Sequence, residues 1–240
     1  MKMHTLGRTG ISVSRICLGT MTFGHQNTEA EGHQQMDMAA EHGVNFFDSA
    51  EMYPFPANPK TYGRTDEIVG TWLAARGQRD KIVVATKIAG PGARFEHIRG
   101  GSLKFDRTHL IQAVDDSLAR LRTDYIDLYQ THWPERPANY FGKLGYNHDA
   151  NAEWTPFEEM LDVMAEIEKA GKVRAFGISN ETPWGLMELM KLSESKGLPR
   201  MASIQNPYSL INRTFEVGLA EAAIRSVCGL LAYSPLGFGA

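Results

Sequence analysis

Apolar residues recur along this chain in two alternating rhythms. Short β-prone runs (Ile16–Gly19, Asn45–Asp48, Ile82–Lys87, Tyr125–Gln130, Val173–Ser179, Met201–Gln205, Leu230–Tyr233) are separated by longer stretches with helical spacing. Leu110, Val114, Leu118 and Leu121 show that spacing clearly, behind an N-cap expected at Asp106. Other helices are expected over Glu29–His42, Thr65–Arg76 with Thr65 as its cap, Pro156–Ala170, Pro183–Lys196 and Phe215–Val227. Glycines at 43, 77, 171 and 197 follow four of them, where a left-handed C-terminal residue is favoured. Upstream, His4–Gly7 and Ile11–Ser14 flank Arg8-Thr9-Gly10 and read as a short hairpin.

Strands alternating with helices imply a parallel sheet. An open doubly wound sheet usually carries a glycine-rich phosphate turn after its first strand, and Gly19-Thr20-Met21-Thr22-Phe23-Gly24 lacks that spacing. The expected fold is therefore α/β, a (β/α)8 TIM-type barrel with an N-terminal β-hairpin that could plug its floor. Only seven barrel strands are counted, and the chain stops in the loop Ser234–Ala240. The expectation is one domain over 1–240, C-terminally incomplete, lacking the last crossover and eighth strand. Such a chain would fold marginally and hold a cofactor poorly, with unpaired edges on its first and seventh strands.

Two long loops interrupt the alternation. Met52–Arg64 contains three prolines, and Trp133–Trp154 carries Trp133, Tyr140, Phe141, Tyr146 and Trp154. Long loops in compact domains are often functional, and the second reads either as an aromatic lid or as a self-packed surface loop. The composition (42% hydrophobic, 22% charged, net charge -3) is that of a globular protein without the basic face a nucleic-acid partner requires. No run spans a bilayer and no leader is evident, so a cytoplasmic location is expected. Cys17 and Cys228 lie in separate apolar runs and read as free thiols, not metal ligands. A homo-oligomer remains open.

Four polar residues follow successive strands. Asp48 ends one run, Tyr53 lies just beyond it, Lys87 ends the next and His132 the one after. If the strands are neighbours in a parallel barrel, all four reach one mouth. A phenol, an ammonium, a carboxylate and an imidazole would then be gathered where a carbonyl could be protonated. A free phenol holds its proton tightly, near pKa 10, and a neighbouring ammonium favours the phenolate. Taken singly, each residue has an ordinary use as a cap, an edge charge or a loop histidine.

A set of ordered motifs carries a resemblance. Phe47-Asp48-Ser49-Ala50-Glu51-Met52-Tyr53, Ala85-Thr86-Lys87 and Gln130-Thr131-His132-Trp133-Pro134 are followed by Gly177-Ile178-Ser179-Asn180, Ile204-Gln205-Asn206-Pro207-Tyr208 and Ala232-Tyr233-Ser234-Pro235-Leu236-Gly237. From Leu6 onward the chain resembles the aldo-keto reductase superfamily, in particular its Tas-like branch. The resemblance implies metal-free, NADP(H)-dependent reduction of small aldehydes or ketones. It implies Tyr53 as the proton donor, Lys87 and Asp48 as its tuners, and His132 as the group that orients the carbonyl. It also implies Ser179, Asn180 and Gln205 at the nicotinamide carboxamide and Tyr233 on its ring. Ser234, Leu236 and Gly237 would lie along the pyrophosphate, with Thr20 and Met21 on the near side. Tyr62, in Tyr62-Gly63, is a rival for the acid. Two other readings stay open: a cofactor-sensing regulatory subunit with little turnover, and a lyase forming a Schiff base on Lys87.

Overall fold

The computed structural model describes residues 1–237; the last three residues of the expected terminal loop lie outside the described residues. An antiparallel hairpin, β1 (Met3–Thr5) with β2 (Ser12–Ser14), precedes a seven-stranded parallel sheet. Its strands are β3 (Cys17–Gly19), β4 (Phe46–Asp48), β5 (Val83–Ile88), β6 (Leu128–Thr131), β7 (Phe176–Ser179), β8 (Met201–Pro207) and β9 (Gly229–Tyr233). They lie side by side in chain order. Helices α1 (Glu29–Glu41), α2 (Arg64–Arg76), α3 (Arg107–Leu121), α4 (Phe157–Lys169), α5 (Pro183–Lys196) and α6 (Phe215–Arg225) supply the crossovers. This is the expected β/α barrel architecture with seven strands. Among the described residues, β3 and β9 are the two ends of the sheet and do not pair with each other.

Local chemistry explains most boundaries. Thr28 and Glu31 form a reciprocal capping box on α1, Asp106 caps α3 by accepting from the His109 N–H, and Thr182 caps α5 ahead of Pro183. The expected cap at Thr65 is not one. Gly63 precedes α2 in a left-handed conformation with no side-chain cap, and the Thr65 hydroxyl donates instead to the Phe23 carbonyl. Ahead of α4, the Thr155 N–H and hydroxyl both donate to the Glu135 carboxylate. Several strands start later than their apolar runs, although early residues such as Ile126 and Val173 already pair in an isolated parallel bridge.

Strand alternation divides the side chains. Phe47, Val84, Tyr129 and Ile178 face outward, as does Ile204 beyond a register shift that sets Phe176 opposite Met201 but Gly177 opposite Ser203, and all are buried against the helices, in a core that includes Val69, Leu110, Val114, Leu161, Leu186 and Leu189. Phe46, Val83, Ala85, Leu128, Ala175 and Ala202 face inward, and Leu6, Ile11 and Val13 of the hairpin pack on them. The hairpin therefore closes the barrel floor. Gly7 makes that closure possible: its φ is +53°, and a Cβ there would stand 2.5 Å from the Ala202 carbonyl oxygen. Among the described residues no helix is long and apolar enough to cross a membrane.

Candidate active site

The inward alternation that builds the floor also builds the mouth. Two residues beyond Phe46 comes Asp48, two beyond Ala85 comes Lys87, and Leu128 is followed at the same interval by Gln130 and His132. The ladders pair Asp48 with Ala85, Lys87 with Gln130, and Ser179 with Gln205. Ala175, Gly177 and Ser179 continue the pattern on β7, and Gly177 is small because a Cβ would meet the Ser203 hydroxyl at 2.5 Å.

Lys87 has no exposed surface. Its Nζ donates to Asp48 Oδ2 at 2.5 Å and to the Ser49 carbonyl at 2.7 Å. The other carboxylate oxygen, Asp48 Oδ1, accepts from Gln130 Nε2 and Gln205 Nε2, both at 3.0 Å. Asp48 thus has partners on both oxygens, the satisfaction a buried ion pair requires. Burial works against the charge on Lys87, and Asp48 reverses that, so its pKa lies above the ordinary lysine value.

Above this pair, Tyr53 and His132 meet. The Tyr53 hydroxyl is 3.4 Å from His132 Nε2, and the two rings cross edge to face. Lys87 Nζ lies 5.2 Å from the centre of the Tyr53 ring. Tyr53 is pushed above the usual phenol pKa by burial, with Lys87 pulling down and Asp48 pushing back up. The ammonium acts in the expected direction, but burial outweighs it. His132 is held well below its ordinary pKa, by burial first and then by the Lys87 charge. It is a neutral imidazole at neutral pH. Its Nδ1 is buried without a partner, while its carbonyl accepts from Asn180 Nδ2 at 2.8 Å.

Next to this cluster runs a groove of about 1440 Å³, open along the gap between β3 and β9. Thr20, Met21, Asp48, Tyr53, His132, Ser179, Asn180, Gln205, Tyr233 and Ser234 all border it. These polar groups are partly spoken for. The Tyr233 hydroxyl donates to Asn180 Oδ1 at 2.7 Å, the Ser179 hydroxyl donates to the Gln205 carbonyl, and the Thr20 hydroxyl donates to the Asp48 carbonyl. Leu236 is exposed, and neither it nor Gly237 borders the groove. On the outer side, Phe55, Phe95, Trp133, Tyr140 and Phe141 form an aromatic wall. Trp133 contacts His132, Phe95 and Phe141 with ring centres 4.9, 5.2 and 5.9 Å apart. The two halves of the long loop differ in their contacts: Tyr140 and Phe141 reach the groove, while Trp154 packs on Phe157 and Tyr146 lies exposed.

Tyr62 stands apart. Its hydroxyl faces Glu51 Oε2 at 3.4 Å, Arg120 lies over its ring, and it does not border the groove. Gln130 and Glu51 were not singled out from the sequence. The signal for Gln130 was present in the strand period, two residues ahead of His132.

Polar side chains gathered at the carboxyl ends of parallel strands, over a plugged floor, define a barrel-type enzyme site. A sequence profile of the Aldo/keto reductase family matches residues 15–240, and the chain belongs to that family of oxidoreductases acting on carbonyl compounds. It is 48% identical over 239 residues to Protein tas of Escherichia coli, covering 100% of this chain and 69% of that protein. It is 36% identical over 244 residues to a Bacillus subtilis protein named as the uncharacterized oxidoreductase YrpG, covering 100% of this chain and 68% of that one. The crystal structure of the thermostable aldo-keto reductase Tm1743 with the inhibitor epalrestat superposes with a TM-score of 0.78 at 26% identity, over 100% of this chain and 75% of that one.

Proposed function

We propose that this protein reduces aldehydes or ketones to alcohols with NADPH, with Tyr53 as proton donor. The observation that carries the reading is the Tyr53–His132 pair, 3.4 Å apart at the edge of the groove and directly above the Lys87–Asp48 ion pair. A substrate carbonyl oxygen held between the phenol and the imidazole receives a hydrogen bond from each. The bound nicotinamide supplies hydride to the carbonyl carbon. As the oxygen becomes an alkoxide, a far stronger base than a phenolate, Tyr53 gives it a proton. The phenol does not need a pKa near neutrality for that transfer to run downhill. Lys87 stabilises the resulting phenolate, and Asp48, fixed by Gln130 and Gln205, holds Lys87 in place and charged.

The residues along the groove fit a nicotinamide nucleotide by the chemistry of their donor set. Tyr233 offers an aromatic face, Ser179, Asn180 and Gln205 offer carboxamide partners, and Ser234 offers a hydroxyl at the groove edge suited to phosphate. The aromatic wall favours flat, apolar carbonyl compounds over small polar ones. A NADPH-oxidation assay over a panel of aliphatic and aromatic aldehydes and ketones, repeated with NADH, tests the reading. Turnover of aromatic aldehydes with NADPH is the expected result, and cofactor binding without turnover of any carbonyl would favour a sensing role instead.

A further inference from the structure

Two residues before Tyr53, the carboxylate of Glu51 has no exposed surface and is not used by the chemistry above. Its surroundings follow from the β4–β5 ladder. Beyond the end of β4 the backbone keeps pairing with β5: the Ser49 N–H donates to the Ala85 carbonyl at 2.8 Å, and the Glu51 N–H donates to the Lys87 carbonyl at 3.1 Å. In a parallel ladder the next rung runs from the Ala89 N–H to the Glu51 carbonyl. Here the chain turns away, with the Tyr53 N–H donating back to the Ala50 carbonyl. The Ala89 N–H instead donates to Glu51 Oε1 at 2.5 Å. A side-chain carboxylate takes the place of the missing backbone acceptor.

Its second oxygen is clamped by the Arg99 guanidinium, itself 2% exposed, with the Tyr62 hydroxyl adjacent. Arg99 sits at φ +46°, a conformation that costs a non-glycine residue of order 1 kcal/mol and persists where surroundings enforce it. Their sequence neighbours Ala50, Met52, Tyr53 and Ile98 belong, with Ala89 and Leu103, to one buried apolar cluster. Burying a carboxylate and a guanidinium is costly, and nothing in the floor or the helix packing requires it here.

We propose that Glu51, held by Arg99, is a positioning residue that extends the β4–β5 ladder by one rung and so sets where the Tyr53 hydroxyl stands relative to Lys87 and His132. The proposal rests on Tyr53 being the proton donor, and its geometric half can be read without turnover. The experiment uses Glu51→Gln and, as a second variant, Arg99→Met in the full chain. Both are assayed for kcat, for KM of carbonyl and NADPH, and for Tm, and their crystal structures are determined. The expected result is a kcat lowered roughly 100-fold, the scale of an ångström misplacement of a reacting group. KM for NADPH should stay within about threefold of wild type at a temperature where the variant is fully folded, and the Tyr53 hydroxyl should be displaced from His132 Nε2. Wild-type kcat in either folded variant, or a loss that only tracks the unfolded fraction, overturns the proposal. If the wild-type chain reduces no carbonyl, the functional reading falls by itself, and a Tyr53 hydroxyl unmoved in the Glu51→Gln structure then overturns the positioning claim.

Discussion

Lys87 Nζ lies 2.5 Å from Asp48 Oδ2 and 5.2 Å from the centre of the Tyr53 ring, and both charges act on that phenol. The phenol therefore sees a dipole and not a lone cation. The pull of Lys87 is partly cancelled by Asp48, and burial decides the sign. In the proposed mechanism the ion pair serves the phenolate formed on proton transfer more than it acidifies the resting phenol.

One consequence concerns pH. With Tyr53 pushed above its ordinary value of 10.0, the proposed proton donor stays loaded across the neutral and mildly basic range. In the reducing direction, kcat/KM should show no basic limb assignable to Tyr53 below about pH 10. A pH–rate profile with a stable carbonyl substrate checks this, and a limb near pH 7 or 8 that disappears in Tyr53→Phe would contradict it.

Replacing the phenol itself separates the two tyrosines. Tyr53→Phe should lower kcat by roughly 10² to 10⁴, the range for removing a general acid, with NADPH binding retained. Tyr62→Phe, which removes a hydroxyl facing Glu51 and not the groove, should keep at least a tenth of wild-type kcat, the threshold being set on the same general-acid scale. Steady-state kinetics of the two variants with one aldehyde decide between them.

Breaking the ion pair should cost stability as well as rate. Lys87→Met leaves Asp48 buried with two amide donors and no counter-charge, and such losses run about 3–5 kcal/mol. The double variant Asp48→Asn with Lys87→Met should recover part of that, because no unpaired charge remains. Urea denaturation of the wild type and the two variants measures the difference.

His132 gives stability a pH dependence of known sign. Its folded pKa lies well below 6.5, so below pH 6.5 the unfolded chain takes up a proton there that the native state refuses. The contribution is fully present above pH 6.5 and is lost as pH falls toward the folded value, at up to about 1.4 kcal/mol per pH unit. His132→Gln should flatten this part of the stability profile. Parallel profiles between pH 6.5 and 5 for variant and wild type would show that the imidazole titrates freely.

The floor offers a test far from the chemistry. Gly7→Ala places a methyl 2.5 Å from the Ala202 carbonyl at a positive φ and should destabilise the fold by about 1–3 kcal/mol, the scale of a strained backbone position. The Tm should fall while kcat at a permissive temperature is unchanged.

The hairpin, the strand order and the convergence of Asp48, Lys87 and His132 were legible because they rest on a glycine turn and on strands alternating with helices, whose successive ends share one mouth. The end of α3 at Leu121 and its cap at Asp106 were equally local. What escaped depends on contacts between distant segments. Thr65 has the chemistry of a cap but finds a carbonyl 42 residues away. The pKa direction of Tyr53 depends on how deeply it is buried, which no spacing reveals. Glu51 reads as an ordinary acidic residue in a loop until the ladder beside it is traced to Ala89. The aromatic loop could be read only as a whole, while its two halves have different neighbours.

The alternation that aims Asp48, Lys87, Gln130 and His132 inward also makes them sensitive to chain length. Deleting or inserting one residue inside β5 would swing Lys87 toward the helices and bring Thr86 or Ile88 into the mouth. Length changes should therefore be borne by the stretch between Trp133 and Trp154 and by the exposed turns, while the inner staves of the barrel tolerate substitution but not a shift in count.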